Sequence, residues 1–249
     1  MISSSRIIIK NNPDHLAQEA ADIFAMTAKD CVSRNGHFAL ALSGGSTPRR
    51  LYSLLAEEPY RSEVPWDKTS IFWVDERCVP ADDPSSNYGT ARKDLLDRIP
   101  MGKAQLHPMQ GELEPESGAI RYQEELIEFF QLEHGVFPIF DLICLGIGKD
   151  GHTGSLFPGR KVLNEGEKLT VAVRGGEPDV SRLTMTFPVL NMARQIVFLV
   201  SGKEKAAILK TVFESSQNPL PAQRIRPVNG MLTWLMDREA ASLISGERA

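Results

Sequence analysis

The chain has 249 residues, of which 42% are hydrophobic and 24% charged, and its net charge is −4. This composition is typical of a globular protein with a full core, and a slightly acidic chain is not expected to bind nucleic acid. No apolar run is long enough to cross a membrane, and the N-terminal run is too short for a signal peptide, so we expect a cytoplasmic protein. The three cysteines form no C-x-x-C pair, which indicates reduced thiols rather than a zinc site or disulfides.

Short apolar runs alternate with stretches that have helical character. We predict strands at residues 6–9, 37–42, 70–74, 140–145, 169–173, 183–187, 196–200 and 231–236. We predict helices at residues 14–33, 48–57, 87–98, 115–132, 203–214 and 238–244. This alternation favours an α/β fold, with a mostly parallel sheet and helices on both faces. No Pro/Gly-rich stretch is long enough for a linker, so a single domain is predicted for residues 1–249.

The first turn of interest has the sequence SGGST and occupies residues 43–47, after a predicted strand. Pro48 is predicted at the first helical position, where its missing N–H is not needed. Paired glycines bring backbone N–H groups close to a ligand, and the start of a helix adds positive potential, which together suit a phosphate. The alternative is an ordinary tight turn. The pattern of nucleoside-triphosphate loops is absent.

The second turn, Asp75-Glu76-Arg77, follows the predicted strand at residues 70–74. Two carboxylates and a guanidinium suit acid–base chemistry combined with anion recognition, although a solvated charged turn is the alternative. Asn87, a little further on, either helps to cap the next helix or belongs to the same pocket.

The third turn follows the predicted strand at residues 140–145, and its sequence GIGKDGH matches the letters of a dinucleotide-binding fingerprint. That fingerprint requires a long helix next, but Gly154 and Pro158 leave no room for one. It also requires an acidic residue at the end of the next strand, where this chain has Arg174. We therefore reject nicotinamide and flavin binding.

His152 ends the third turn and is the candidate catalytic residue. Flanking glycines allow the loop to approach a ligand closely, and imidazole is the side chain best suited to acid–base work near neutral pH. Asp150 lies two positions before His152 and could orient the ring. No second histidine stands at a metal-binding spacing, so a metal is not expected; a structural histidine remains the alternative.

The fourth turn contains Lys203, which follows Ser201-Gly202 after the predicted strand at residues 196–200. Its ammonium group could bind a phosphate, or it could be an exposed lysine at the start of a helix. Ligands bind outside the carboxyl ends of parallel strands, so these four turns are expected to meet in one pocket.

Six motifs occur in order: SGGSTP at residues 43–48, DER at 75–77, SN at 86–87, GKDGHTGSLFP at 148–158, RLT at 182–184 and SGK at 201–203. Together they resemble the motifs of the 6-phosphogluconolactonase family, over nearly the whole chain. The resemblance implies a Rossmann-like α/β fold shared with glucosamine-6-phosphate deaminases. Those deaminases carry Glu where this chain has Phe157, which argues against deamination. Gly154 is a small departure, since Ala is usual there.

The resemblance implies hydrolysis of 6-phospho-D-glucono-1,5-lactone to 6-phosphogluconate in the pentose phosphate pathway, without a cofactor. His152 would take the proton of the attacking water and return it to the leaving ring oxygen. Asp75 and Asp150 complete the predicted catalytic set; Asp75 could orient Arg77, bind sugar hydroxyls or assist the water. Backbone N–H groups around residues 148–151 would receive the oxyanion. The predicted substrate and phosphate ligands are Ser43, Gly44, Gly45, Ser46, Thr47, Arg77, Asn87, Gly148, Gly151, Arg182 and Lys203.

Two alternatives remain. One is a deaminase or isomerase of glucosamine 6-phosphate, and the other is a regulator that binds a phosphosugar without catalysis. The expected partner is a small phosphosugar lactone, with no nucleic acid and no membrane. The chain is expected to be a monomer or a weak homo-oligomer.

Overall fold

The computed structural model describes residues 5–102, 105–215 and 218–244. Its strands are β1 (Ser5–Lys10), β2 (Phe38–Leu42), β3 (Thr69–Trp73), β4 (Asp75–Arg77), β5 (Leu106–His107), β6 (Leu142–Leu145), β7 (Thr170–Gly175), β8 (Val180–Met185), β9 (Gln195–Val200) and β10 (Met231–Asp237). Its helices are α1 (Pro13–Asn35), α2 (Ser46–Leu55), α3 (Tyr60–Glu63), α4 (Asn87–Asp94), α5 (Pro115–Phe130), α6 (Phe187–Asn191) and α7 (Ala206–Glu214).

A seven-stranded parallel sheet in the order β1-β10-β9-β6-β2-β3-β5 forms the centre of the fold. Every residue of β2, β3 and β6 is buried, as expected for strands covered on both faces. The helices flank this sheet, which confirms the predicted α/β fold. No helix within the described ranges is long and apolar enough to cross a membrane.

A second sheet of three antiparallel strands, in the order β4-β8-β7, lies beside the parallel one. The predicted strands at residues 169–173 and 183–187 belong to this antiparallel sheet and not to the parallel one. The reason is the length of the connection: four residues join β7 to β8, whereas a parallel pair needs a crossover of a dozen or more.

Several predicted boundaries also differ from the structure. The helix predicted at residues 87–98 ends at Asp94 and is followed by a 3-10 turn. The helix predicted from residue 203 begins with the 3-10 turn Lys203–Lys205, and α7 starts only at Ala206. Residues 238–244 form turns instead of a helix, and the Asp237 carboxylate accepts the N–H of Ala240 at 2.8 Å.

Candidate active site

The carboxyl ends of β9, β6, β2 and β3 are neighbours in the sheet and open into one pocket of about 580 Å³. Three of the four turns singled out in the sequence line the pocket wall; next to the fourth, Lys205 lines it, whereas Ser201, Gly202 and Lys203 do not. The residues that line it are Ser43, Gly44, Gly45, Ser46, Thr47, Pro48, Asp75, Arg77, Asn87, Gly146, Ile147, Gly148, Lys149, Asp150, His152, Gly154, Phe157, Gly176, Glu177, Arg182, Leu199, Val200 and Lys205.

The turn after β2 presents backbone donors to the pocket. Helix α2 begins at Ser46, two residues earlier than predicted, so Pro48 is its third residue. Its N-terminus has no side-chain cap, and no acceptor in the described parts of the chain takes the N–H groups of residues 44–47. The Ser43 hydroxyl is also buried without a partner. Unpaired donors at the start of a helix form a site suited to an anion.

Only glycine fits at residue 44, because the backbone there lies close to the Asn87 side chain. A Cβ at residue 44 would lie 1.8 Å from Asn87 Oδ1, which no side chain could tolerate. Asn87 in turn connects the charged residues of β4: its Nδ2 donates to the Asp75 carbonyl at 2.8 Å, and its Oδ1 accepts from Arg77 Nη1 at 2.8 Å. The glycine turn is therefore packed directly on the residue that organises the second turn.

Asp75 and Glu76 are adjacent in sequence but have different surroundings. Asp75 lines the pocket, and its Oδ2 accepts a hydrogen bond from Ser155 Oγ at 2.7 Å. Glu76 is buried away from the pocket, where it accepts the N–H groups of Asn87 and Tyr88, both at 2.8 Å. Burial raises the pKa of Glu76, although these hydrogen bonds oppose the effect. Glu76 is thus a structural residue that holds the start of α4.

Arg77 and Arg182 face each other across the antiparallel pair β4 and β8. Like charges in this position are destabilising without a counter-ion. The Nε atom of Arg77 is buried without a partner. Burial, followed by the charge of Arg77, lowers the pKa of Arg182. Two closely placed guanidinium groups in a pocket wall are well suited to a substrate that carries negative charge.

His152 is held by Asp150. The Nδ1 atom of the ring lies 2.5 Å from Asp150 Oδ1, and the ring packs against Phe157 with centroids 4.7 Å apart. An ionised carboxylate can only accept a hydrogen bond, so Nδ1 carries the proton and the lone pair of Nε2 is available. The side chain is 29% exposed, which leaves it accessible from the pocket. This arrangement is the one required of a general base.

The backbone of the third turn is occupied by its own hydrogen bonds. The N–H of Gly148 donates to the His152 carbonyl at 2.9 Å, and the N–H of Gly151 donates to the Gly148 carbonyl at 3.0 Å. These two groups are therefore not free to receive an oxyanion, contrary to the sequence-based expectation. Gly151 lies outside the pocket wall, and a Cβ there would meet Leu220 at 2.8 Å. Gly148 leaves room for the His152 ring, since a Cβ at residue 148 would lie 2.1 Å from His152 Nδ1.

The fourth turn places Lys205, not Lys203, in the pocket. Lys203 is exposed and lies outside the pocket wall. Lys205 is half-buried, and its Nζ donates to the Ile147 carbonyl at 2.6 Å. Burial lowers its pKa. A 3-10 turn rotates about 120° per residue, so side chains two positions apart point in different directions, a detail that the sequence pattern did not reveal.

Among the residues that the predicted site did not include are Lys205 and Glu177 of the pocket wall and, behind the wall, Ser155. Ser155 is not in the pocket wall but fixes the Asp75 carboxylate from behind. The only sequence signal for Lys205 was that a second lysine follows Lys203 in the stretch SGKEK. Glu177 follows two glycines in the connection between β7 and β8, and nothing in its composition distinguishes it from a solvated loop residue.

A parallel α/β sheet with guanidinium groups, an ammonium group and a carboxylate-bound histidine at its carboxyl edge defines a class of enzymes that act on small anionic substrates. Residues 11–234 match the family described as glucosamine-6-phosphate isomerases/6-phosphogluconolactonase, and the chain belongs to this family. The resemblance inferred from the motifs is thereby confirmed.

Named relatives support a closer placement within the family. A 6-phosphogluconolactonase of Synechocystis sp. is 45% identical, covering 84% of this chain and 85% of the relative. The human 6-phosphogluconolactonase is 38% identical, covering 96% of this chain and 93% of the relative. The solved structure of 6-phosphogluconolactonase from Trypanosoma cruzi is 29% identical, covers 99% of each chain and superposes with a TM-score of 0.86.

Proposed function

We propose that this chain hydrolyses 6-phospho-D-glucono-1,5-lactone to 6-phosphogluconate, in the pentose phosphate pathway. Relatives at 38–45% identity carry the name of this lactone hydrolase. The observation that carries the proposal is the pair His152 and Asp150, 2.5 Å apart at the edge of a cationic pocket. Phe157 occupies the position where the deaminases of the wider group carry Glu, and an aromatic ring cannot move a proton.

His152 acts as the general base. Its Nε2 takes a proton from a water molecule as the water oxygen attacks C1 of the lactone. When the tetrahedral intermediate collapses, the C1–O5 bond breaks and the same proton passes to the departing ring oxygen. Asp150 keeps the ring in the required tautomer and stabilises the imidazolium that forms between the two steps, as a carboxylate does for a base of this kind. The remaining acid proton of the product is lost to solvent.

The phosphate is held by hydrogen-bond donors that are already in place before the substrate binds. The unpaired N–H groups of residues 44–47 and the Arg77 guanidinium form one part of this site. Lys205 supplies the ammonium group that the sequence assigned to Lys203. Arg182 uses Nε and Nη2 to hold loop carbonyls at 2.8 and 3.3 Å, so its Nη1 remains for a substrate oxygen.

Asp75 binds sugar hydroxyls. The Asp75 carboxylate has no direct contact with Arg77, because Asn87 lies between the two side chains. We therefore do not assign to Asp75 the role of orienting the guanidinium. Ser155 donates to its Oδ2, while Oδ1 has only a long contact of 3.4 Å from Asn87. Oδ1 therefore has capacity to accept a hydroxyl of the substrate.

The decisive experiment is a continuous lactonase assay with freshly prepared 6-phosphogluconolactone at mildly acidic pH, where spontaneous hydrolysis is slow. We expect a rate well above the background without protein. A parallel assay measures ammonia release from glucosamine 6-phosphate. Release of ammonia without lactone hydrolysis would favour the deaminase, and tight binding of 6-phosphogluconate without turnover would favour the regulator.

Three further statements remain predictions from the sequence. They are the location in the cytoplasm, the monomeric or weakly oligomeric state, and a reaction that needs neither metal nor organic cofactor. Size-exclusion chromatography with light scattering tests the second, and activity after dialysis against a chelator tests the third. An activity that disappears with the chelator and returns with a metal would contradict the mechanism given above.

A further inference from the structure

Glu177 is an acidic residue on the rim of a pocket otherwise suited to anions. The pocket wall contains three carboxylates, and two of them are engaged. Asp75 accepts a hydrogen bond from Ser155, and Asp150 binds His152. Glu177 has no hydrogen-bond or ion-pair partner in the parts of the chain that the structure describes. It is therefore the carboxylate of the pocket wall that has no partner among the described residues.

Packing places this rim on the side of the pocket where His152 lies. Gly175, two residues before Glu177, is pressed against the Phe157 ring, because a Cβ at Gly175 would lie 2.9 Å from Phe157 Cδ2. Phe157 packs in turn on His152, with ring centroids 4.7 Å apart. A chain of contacts thus links the backbone next to Glu177 with His152, the residue that acts at C1.

The rim is also fixed in place. Arg182 donates from Nε to the Gly175 carbonyl at 2.8 Å and from Nη2 to the Pro178 carbonyl at 3.3 Å. Its guanidinium carbon lies 5.6 Å from the centroid of the Phe157 ring. The backbone on either side of Glu177 is therefore anchored to Arg182, which fixes the point from which its side chain extends.

We propose that Glu177 is a specificity residue that weakens binding of the product relative to the substrate. The inference rests on the proposed function. The lactone is charged only at its phosphate, whereas hydrolysis converts C1 into a carboxylate and adds a negative charge. In a pocket with four cationic side chains, Arg77, Lys149, Arg182 and Lys205, that carboxylate would otherwise increase product affinity. Glu177 repels it and so favours product release.

Two ligands isolate the effect of the C1 charge. 6-Phosphogluconate carries the carboxylate, while D-glucitol 6-phosphate has the same open chain and phosphate with an uncharged alcohol at C1. Isothermal titration calorimetry measures the dissociation constant of each ligand for the wild type, Glu177→Gln and Glu167→Gln. Glu167 is the matched control, because it is exposed, has no side-chain partner among the described residues and lies outside the pocket wall.

In Glu177→Gln we expect 6-phosphogluconate to bind about two- to fivefold more tightly, the size typical of one exposed charge pair. Binding of D-glucitol 6-phosphate should change much less, and Glu167→Gln should alter neither ligand. The gain should disappear at about 1 M salt, where the Debye length is about 3 Å. In the lactonase assay, the ratio of the product inhibition constant to KM should fall by a similar factor.

Equal tightening of both ligands would overturn the proposal, since it would place Glu177 near the phosphate. No tightening, or the same tightening in Glu167→Gln, would also overturn it. The calorimetric experiment needs no turnover. A failure of the proposed lactonase activity would therefore appear separately, as a wild-type rate equal to spontaneous hydrolysis.

Discussion

The turn after β6 and the turn after β2 occupy equivalent places at the ends of neighbouring strands, yet they offer the pocket different chemistry. In the turn after β6, the N–H groups of Gly148 and Gly151 donate to carbonyls of the same turn, and the side chain of His152 faces the pocket. In the turn after β2, the N–H groups of residues 44–47 remain unpaired at the start of α2. Glycine is common to both turns, so its presence alone does not distinguish catalysis from anion binding.

The difference lies in where the backbone donors point. A turn whose hydrogen bonds are satisfied internally is rigid and can present one side chain in a fixed orientation. A turn that runs directly into a helix leaves its donors unpaired and attracts an anion. Changes to the turn after β6 should therefore act mainly on kcat, and changes to the turn after β2 and to Lys205 mainly on KM.

The largest expected effect comes from removing the base. His152→Ala should lower kcat by about 10²- to 10⁴-fold, the usual contribution of one positioned general base. Binding of 6-phosphogluconate should persist, because the phosphate site is built from other residues. Stopped-flow lactonase kinetics and calorimetry measure the two quantities. His134→Ala, at an exposed histidine, is the control; a near wild-type rate for His152→Ala would remove this residue from the mechanism.

Gly148→Ala tests whether the turn after β6 serves to position the ring. A Cβ at residue 148 would lie 2.1 Å from His152 Nδ1, so the imidazole must move away from Asp150. Misplacement of a catalytic group by about 1 Å can cost on the order of 10²-fold, and we expect a loss of that order in kcat with little change in KM. Gly166→Ala, where a Cβ meets open space, should leave both parameters unaltered. A rise in KM without a loss of kcat in Gly148→Ala would contradict the conclusion that the turn after β6 serves the chemical step and not binding.

Lys205→Met tests the phosphate side. Loss of one charge-assisted hydrogen bond is worth about 1.5–3 kcal/mol, so KM should rise about tenfold or more while kcat stays close to that of the wild type. Lys203→Met is the matched control, since the same change is made two residues away on an exposed side chain. The assignment of the ammonium group to Lys205 fails if Lys203→Met has the larger KM.

The smallest expected effect is that of salt. Raising the ionic strength from about 0.05 to about 0.5 M shortens the Debye length and screens the cationic pocket, which should raise KM by a few-fold. The chemical step depends on the contact between His152 and Asp150, at 2.5 Å, and should change little. A plot of kcat and KM against ionic strength separates the two; a parallel fall of kcat would show that the two regions are not independent.

Much of this site could be predicted from the sequence because it depends on local patterns. Apolar runs that end in glycine and charge indicate where strands stop, and strand ends share one edge of a parallel sheet. His152, Asp75, Arg77 and the SGGST turn all follow such runs, and all line the pocket. Lys203 lies outside the pocket wall for a local reason as well, because the type of helical turn that follows Gly202 decides which lysine faces inward.

The sequence by itself determined the α/β class, the family and the four turns at the carboxyl edge of the sheet, since periodicity and motif order are properties of neighbouring residues. Only the tertiary structure decided that Asp75 faces the pocket while Glu76 is buried under α4, because that depends on how β4 pairs with β8. It also decided which donors remain unpaired. A backbone N–H is paired only where folding brings an acceptor close to it, and for this reason the turns after β2 and β6 differ in their unpaired N–H groups.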